Sequence, residues 1–329
     1  MKSRFREAIF GIMDDSDFMS AVIEILTYQY ENNPVYRLFV DSLGRSPWKI
    51  KDLKDIPFLP VEFFRNHPVI TGRVQVEMIF QSSGTTGTTP GRHFIKDMSL
   101  YEESFLKTFR LFYGSPENYI IAALLPSYTE RCGSSLVYMA DRLIKETDHP
   151  LSGFYKDNID KFLDKIKAKK IRGRKVLIIG VSFALLDLAE KSGTDFPDII
   201  LMETGGMKGR RKELVRDELH SLLKSRFNVD TVHSEYGMTE LLSQAYSAGN
   251  GLFRCPPWMK ILIRDPQDPL TIMTEPGKTG GINIIDLANV NSCAFIATSD
   301  LGKLHEDGSF EVLGRFDNSD IRGCNLMVE

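Results

Sequence analysis

The spacing of apolar residues changes character along the chain. Between residues 119 and 233 the runs YIIAALL, KVLIIGV, DIILM and VDTVH alternate with helical stretches near 133–146, 182–192 and 208–226. A further helix near 157–170 carries Ile159, Phe162, Leu163 and Ile166 at i, i+3, i+4 and i+7. Strands that are apolar on both faces and separated by helices predict a buried, mostly parallel sheet. Upstream, residues 1–45 read as short helices; Phe18, Val22, Ile25 and Leu26 share one face of the second, which stops at Asn33-Pro34. Residues 46–80 are rich in proline and aromatics, as in an ordered wrap against a core. Residues 97–113 predict a helix in which Ser99 and Glu102 form a capping box ahead of Phe105, Phe109 and Phe112. Past about 250 the helical pattern ends, and WMKILIRD, GGINIID, AFIATSD and SFEVLG read as short strands between glycine, proline and aspartate turns. The expectation is an α/β fold: a core over 1–250, with an N-terminal helical segment, and a small β-rich subdomain over 251–329.

Composition narrows the function classes. Of 329 residues, 42% are hydrophobic and 26% charged, which excludes wholesale disorder. The 41 Lys and Arg against 44 Asp and Glu give a net charge of −3, which argues against general binding to nucleic acid or an anionic membrane. The greasiest stretch, Val176 to Leu186, is interrupted by Gly180 and Ser182, so no membrane span is expected. The N-terminus carries charges where a signal peptide needs its apolar core, and the four cysteines form no CxxC pair. A cytoplasmic protein with free thiols is expected. The six histidines lack HExxH or paired-ligand spacing, so no transition-metal site is expected.

Candidate chemistry lies in the turns. Residues 82–91, SSGTTGTTPG, hold two serines, four threonines and three glycines between an apolar run and a helix. Glycines let backbone amides converge on an anion, and hydroxyls add donors, so Ser82, Ser83, Gly84, Thr85, Thr86, Gly87 and Thr88 are candidate phosphate ligands. The segment is not a Walker A loop, because no GK[ST] follows Gly84 at the required spacing; a surface turn is the bland alternative. His233 to Glu240, HSEYGMTE, comes just after a predicted strand, where α/β sheets bind ligands. There Tyr236 offers a stacking face next to Gly237, Thr239 a hydroxyl, and Glu240 a hard oxygen ligand for Mg²⁺. Gly205 and Gly206 follow another strand end. Asp300, after a strand, can accept both hydroxyls of a ribose, and Arg315 can sit against ribose or phosphate. Taken alone, the Tyr236 and Gly205 motifs are equally well plain turns, and those of Asp300 and Arg315 are more often β-turns.

The order of these motifs resembles that of the adenylate-forming superfamily, which includes the acyl-CoA synthetases and firefly luciferase. IPFLPVEFF, QSSGTTGTTPG, LLPSYTERCGSSLVYM, ETGGMKG, SEYGMTE and LGRFDNSDIRGCNL look most like its acyl-protein synthetase branch, the LuxE family of fatty acid reductase complexes. The likeness runs from about residue 56 onward. It implies ATP-dependent conversion of a carboxylic acid, expected to be a fatty acid, into an acyl-adenylate, followed by transfer to a cysteine. ATP and Mg²⁺ are the implied cofactors; an acyl reductase or an acyl carrier protein is an implied partner. On the same resemblance the 82–90 loop holds the β- and γ-phosphates, Thr239 the α-phosphate and Glu240 the metal. Tyr236 stacks on adenine, Asp300 binds ribose, and Arg315 contacts the nucleotide. Cys324, five places from the last residue and near Arg315 and Arg322, is the implied acyl acceptor, with Cys132, Cys255 and Cys293 as alternatives. Superfamily members carry a mobile C-terminal domain with an adenylation lysine; the sequence after Gly314 holds fifteen residues and no counterpart.

Alternatives stay open at this level. The acceptor could be CoA or a carrier protein, and the basic run Lys161 to Lys175 could dock an acidic carrier, although a solvated helix face is the simpler reading. Ser182, in GVSFA on a strand-to-helix turn with His233 and His305 downstream, could be the nucleophile of an acylhydrolase, though Ala184 replaces the usual second glycine. A nucleotide-binding module without catalysis is the remaining alternative.

Overall fold

The computed structural model describes residues 2–73, 75–82, 89–127, 129–131, 133–156, 158–168, 173–191, 199–205 and 216–316. The chain opens with helices α1 (Lys2–Phe10), α2 (Asp15–Asn32) and α3 (Pro34–Ser42). Asp14 caps α2 by accepting from the amides of Ser16 and Asp17, and the buried face is the expected stripe extended by Ala21 and Gln29. Gln29 is a buried polar residue in that stripe. Its carboxamide donates to the carbonyls of Asn289 and Val290, both at 3.0 Å, and accepts from the amide of Ala294 at 3.0 Å. Asn33 ends α2 and caps α3, accepting from the Tyr36 amide, with Pro34 at the first helical position.

The proline-rich segment is the ordered wrap expected. Strand β1 (Leu59–Pro60) and helix α4 (Phe63–Asn66) bury Phe58, Leu59, Val61 and Phe64. Strands β2 (Met78–Gln81) and β3 (Arg92–Ile95) form an antiparallel pair on either side of the 82–91 segment. Helix α5 (Met98–Tyr113) follows, but its cap is Asp97 rather than Ser99. The Asp97 carboxylate accepts from the Leu100 amide at 3.2 Å and from the Ser99 hydroxyl at 2.6 Å. Glu102, expected to close a capping box, instead accepts from the Tyr138 hydroxyl and lies 3.6 Å from Arg142. A charged acceptor two residues upstream outcompetes the serine for the orphan amides.

Next come β4 (Tyr119–Leu124), α6 (Ser135–Glu146), β5 (Gly153–Phe154), α7 (Ile159–Ala168), β6 (Lys175–Gly180), α8 (Ser182–Lys191), β7 (Ile199–Thr204), α9 (Arg216–Phe227), β8 (Val232–Tyr236) and β9 (Ala245–Ser247). Their strands order as β5-β4-β6-β7-β8-β9, parallel throughout except for the antiparallel edge β9. One apolar cluster, with Phe162, Leu185, Leu188 and Leu223, covers one face of this sheet. Helices α5 and α6 contribute Phe105, Phe109, Met139 and Leu143 to the cluster on the other.

The last part forms a second sheet from β10 (Met259–Arg264), β11 (Ile272–Met273), β12 (Thr279–Asp286), β13 (Phe295–Leu304) and β14 (Phe310–Arg315). These strands pair antiparallel, and β1 joins β13 in parallel, Leu59 opposite Ile296. Buried apolar residues from Phe18 and Phe105 through Ile179 to Ile284 and Phe310 belong to one continuous cluster. Residues on both sides of position 250 therefore share a core. Among the described residues no helix is long and apolar enough to cross a membrane.

Candidate functional site

Strand β8 starts three residues later than its apolar run implied, so Ser234, Glu235 and Tyr236 lie within it rather than beyond it. Alternation then sends Tyr236 and Glu235 to opposite faces. Tyr236 is buried, with its ring edge-on to Phe253 and Phe310 at centroid distances of 6.0 and 5.7 Å. Its hydroxyl donates to Asp300 Oδ2 at 2.8 Å. Asp300 also differs from its expected setting, because β13 continues through a register shift to Leu304 and places it inside the strand, opposite Arg315 of β14. Arg315 Nε lies 3.4 Å from Asp300 Oδ1. Tyrosine, aspartate and arginine from three strands thus meet at one point.

Glu240 lies within electrostatic reach of Asp300 and Arg315. A Cβ at Gly91 would lie 2.6 Å from Glu240 Oε1 and 3.3 Å from Ser82 Oγ, so only glycine fits there without displacement. Ser82 and Gly91 close the neck of the loop: the Gly91 amide donates to Ser82 Oγ at 2.8 Å, and the Ser82 amide to the Gly91 carbonyl at 3.0 Å. The neck residues Ser82 and Gly91 therefore lie against the Glu240 carboxyl. Burial raises the pKa of that carboxyl, and the charges of Arg315 and Arg65 partly offset the shift. Ser83, Gly84, Thr85, Thr86, Gly87 and Thr88 lie outside the described residues, as do Gly206, Cys132, Arg322, Cys324 and 169–172 of the basic run.

What orients the Thr239–Glu240 backbone was not legible from motifs. His93, fully buried on β3, has Nδ1 2.8 Å from the Thr239 carbonyl and Nε2 3.0 Å from Asn289 Oδ1. Asn289 in turn donates to the Glu240 carbonyl at 2.7 Å. Both ring partners are acceptors and favour the charged imidazole, but burial dominates and lowers the His93 pKa to about 4. A lone histidine inside RHFI carries no sequence signal of this role.

On the opposite face of β8 the Glu235 charge reaches the hydroxyls of Tyr101, Tyr113 and Tyr246. Glu235 Oε2 accepts from the Thr204 hydroxyl. A Cβ at Gly237 would lie 2.4 Å from Glu235 Oε1 and 3.4 Å from Gln244 Cγ, which explains the glycine. Burial, reinforced by the charge of Glu203, raises the Glu235 pKa to about 7. One strand away, Glu203 is buried as deeply, yet His220 at 3.8 Å and Arg216 at 3.4 Å outweigh its desolvation and lower its pKa.

The Ser182 hydroxyl donates to the carbonyl of Gly205 at 2.7 Å and lies 3.2 Å from Glu203. Gly205 itself adopts φ +71°, a conformation glycine allows. His233 is bonded to the Tyr113 hydroxyl at 3.1 Å and His305 to Glu311 at 2.9 Å, so neither serves Ser182. Of the described cysteines, Cys293 is buried with its thiol pKa pushed up to about 12, and burial raises that of Cys255 as well. Among the described residues no three His, Cys, Asp or Glu side chains are grouped to hold a metal.

No protein-family model matches the sequence, and no curated protein matches it. Solved structures do match its fold. A 2-hydroxyisobutyryl-CoA ligase in the postadenylation state, complexed with R3-HIB-AMP, superposes with TM-score 0.66 at 14% identity, covering 92% of this chain and 68% of the ligase. An open conformation of the ligase with 2-HIB-AMP and CoA gives 0.65 at 15% identity, over 92% and 75% of the two chains. The chain adopts the α/β fold of these ligases. ATP-bound MatB from Rhodopseudomonas palustris gives 0.53 at 19% identity; the match covers 74% of this chain and 49% of MatB, about half its length.

Proposed function

We propose that this protein is an ATP-dependent acyl-activating enzyme of the acyl-protein synthetase kind. The observation that carries the reading is the meeting of Tyr236, Asp300, Arg315 and Glu240 with the Ser82–Gly91 neck, residues spread over more than two hundred positions. Enzymes of similar fold, a CoA ligase holding R3-HIB-AMP and MatB holding ATP, add support.

A carboxylate is a poor acyl donor, because its leaving group would be oxide. Its oxygen attacks the α-phosphorus of ATP, the bond to the bridging oxygen breaks, and pyrophosphate leaves with the electron pair. The acyl-adenylate then loses AMP to an attacking thiolate and becomes a thioester. Such chemistry needs alignment and charge stabilisation more than a covalent protein group in its first step. Ser82 to Thr88 hold the β- and γ-phosphates, Gly205 and Gly206 contact the nucleotide, and Thr239 takes the α-phosphate. Tyr236 lies against adenine, Asp300 binds ribose, and Arg315 contacts the nucleotide. Since Asp300 is engaged by Tyr236 and Arg315 in the free chain, nucleotide binding exchanges those partners for ribose hydroxyls. Glu240 fits Mg²⁺, a hard cation usually held by one or two carboxylates together with substrate phosphates; the ion supplies charge neutralisation at those phosphates.

Cys324 takes the acyl group in this reading, and a cytoplasmic acyl reductase or carrier protein receives it. The known ligands of the structurally similar enzymes favour a second acceptor, CoA. The family resemblance calls for a fatty acid. The test is acid-dependent ATP–pyrophosphate exchange, followed by a search for a hydroxylamine-labile adduct. Cys324→Ser should abolish the adduct and keep exchange. An acylated CoA with no protein adduct selects the second acceptor, and exchange with no acid overturns the enzyme reading.

A further inference from the structure

A cavity of about 210 Å³ opens at the amino ends of the parallel strands. Tyr119 and Lys175, which pair across β4 and β6, are the first residues of those strands, and His233 is the second of β8. Phe112 and Tyr113, from the last turn of α5, and Tyr246 of β9 add aromatic walls. Sheets of this kind bind their ligands at the carboxyl ends of the strands, and there Tyr236 ends β8 ahead of Thr239 and Glu240. The cavity therefore lies at the other end of the strands from the nucleotide residues.

Its polar groups have a defined sense. The Tyr119 hydroxyl donates to the Tyr113 carbonyl at 2.6 Å and fixes the end of α5 against β4. Burial raises the pKa of Tyr113, so its hydroxyl keeps a proton to donate. The acceptor it has among the described residues is His233 Nδ1, at 3.1 Å. Burial lowers the His233 pKa and favours the neutral ring. A neutral imidazole that accepts at Nδ1 carries its proton on Nε2. Among the described residues Nε2 has no hydrogen-bond partner, and the exposed Lys175 has no ion pair. No lining residue is acidic. The walls are held by ring contacts: Tyr113 meets Tyr246 edge-on at 5.2 Å, and Phe112 tilts against Tyr246 at 5.5 Å. We propose that this cavity is a binding site for a small aromatic carboxylate, with its ring among Phe112, Tyr113, Tyr119 and Tyr246 and its carboxylate on His233 Nε2 and the Lys175 ammonium. Rings packed edge to face gain attraction beyond the area they bury, and one carboxylate accepts from both donors. At about 30 Å³ per water the volume equals about seven waters, which suits one six-membered ring and its carboxylate but neither a nucleotide nor a long acyl chain. Held so far from Thr239 and Glu240, this carboxylate is not the one that reacts. The site does not depend on the acyl-activating reading.

The experiment titrates the full chain with benzoate by calorimetry, with and without saturating AMP. Benzoate should bind with the same affinity in both cases. Benzamide, which lacks the charge, and cyclohexanecarboxylate, which lacks the aromatic ring, should each bind at least about 3-fold more weakly. Lys175→Gln should weaken benzoate by about 2–5-fold, a difference that vanishes at about 1 M salt. His233→Phe removes the inner donor and should weaken it by about 10-fold or more. Ala248, which lines the cavity and is exposed, keeps the test open if the His233 variant fails to fold: Ala248→Trp fills the space and should abolish binding. Three results would overturn the proposal: no binding of benzoate to the parent protein, displacement of benzoate by AMP, or parental affinity in a folded Ala248→Trp variant. Equal affinity for cyclohexanecarboxylate would overturn the aromatic class.

Discussion

Glu203 and Glu235 sit on adjacent strands at the same end of the parallel sheet, and both are buried. Glu203 faces Arg216 and His220, and their combined pull keeps it ionised despite desolvation. Glu235 faces the Thr204 hydroxyl and a wall of aromatic rings, and its pKa rises to about 7. Depth is the same; company differs. A buried charge paired by its own fold contributes to holding that fold, whereas one left with a single neutral partner weakens the fold and is available to a ligand.

The sharpest way to extend this comparison is Glu240, a third buried carboxyl, which lies against the loop neck. Glu240→Gln preserves the shape and removes the charge. It should lower acid-dependent pyrophosphate exchange by roughly 100-fold or more, through lost charge stabilisation of the transferring phosphoryl group, with an unchanged circular dichroism spectrum. Parental exchange rates in this variant would place Glu240 with Glu203, as a residue that serves the fold.

Glu235→Gln tests the other side by thermodynamics alone. The folded-state pKa is raised from 4.5 to about 7, so between those values the native state keeps a proton that the unfolded chain has released. Stability therefore declines as pH rises from about 4.5 through 7, and the glutamine variant escapes that decline. At pH 8 it should be more stable by up to about 3 kcal/mol in denaturant titrations, with the gap closing near pH 4.5. No gap at pH 8 would mean that Glu235 is better solvated than its burial implies.

His93 gives the opposite sign. Its pKa falls from 6.5 to about 4 on folding, so between these values the unfolded chain binds a proton that the native state refuses. Stability should drop as pH falls from about 6.5 to 4, by roughly 3 kcal/mol, and His93→Gln should flatten that slope. If the slope persists in the variant, other groups carry the acid sensitivity. The smallest effect is expected at Asp300: alanine should weaken ATP binding by about 1–3 kcal/mol, the scale of hydrogen bonds to a charged group, measured by calorimetry. Unchanged affinity for ATP and AMP would remove Asp300 from the ribose assignment.

Much of the fold was legible because strand and helix periods differ: the helix near 182–192 and the strand at 175–180 stand where the apolar runs put them. Boundaries were less so. The β8 run was read as ending at His233, since Ser234 and Glu235 are polar, but burial with partners makes them strand residues. The Asp97 cap was hidden by a nearby serine that fits the same motif. Motif residues Tyr236, Asp300, Arg315 and Glu240 could be named one by one, yet their meeting depends on how β13 and β14 pair across the second sheet. His93 and Asn289 belong to no motif, and only the packed chain brings them to Thr239 and Glu240.

Gln29 has a consequence for how the chain is made. Its partners at Asn289, Val290 and Ala294 lie some 260 positions further along. At about 5–20 residues per second of synthesis, they emerge from the ribosome roughly ten to fifty seconds after it does. Throughout that interval Gln29 in the α2 stripe lacks its partners, since the connection between β12 and β13 that supplies them does not yet exist. This makes the first helical segment a natural client for chaperones that shield nascent chains, and makes docking of α2 a late event in folding. A ribosome stalled near residue 250 should therefore display α2 open to protease, and one stalled after residue 316 with a spacer to clear the exit tunnel should display it protected.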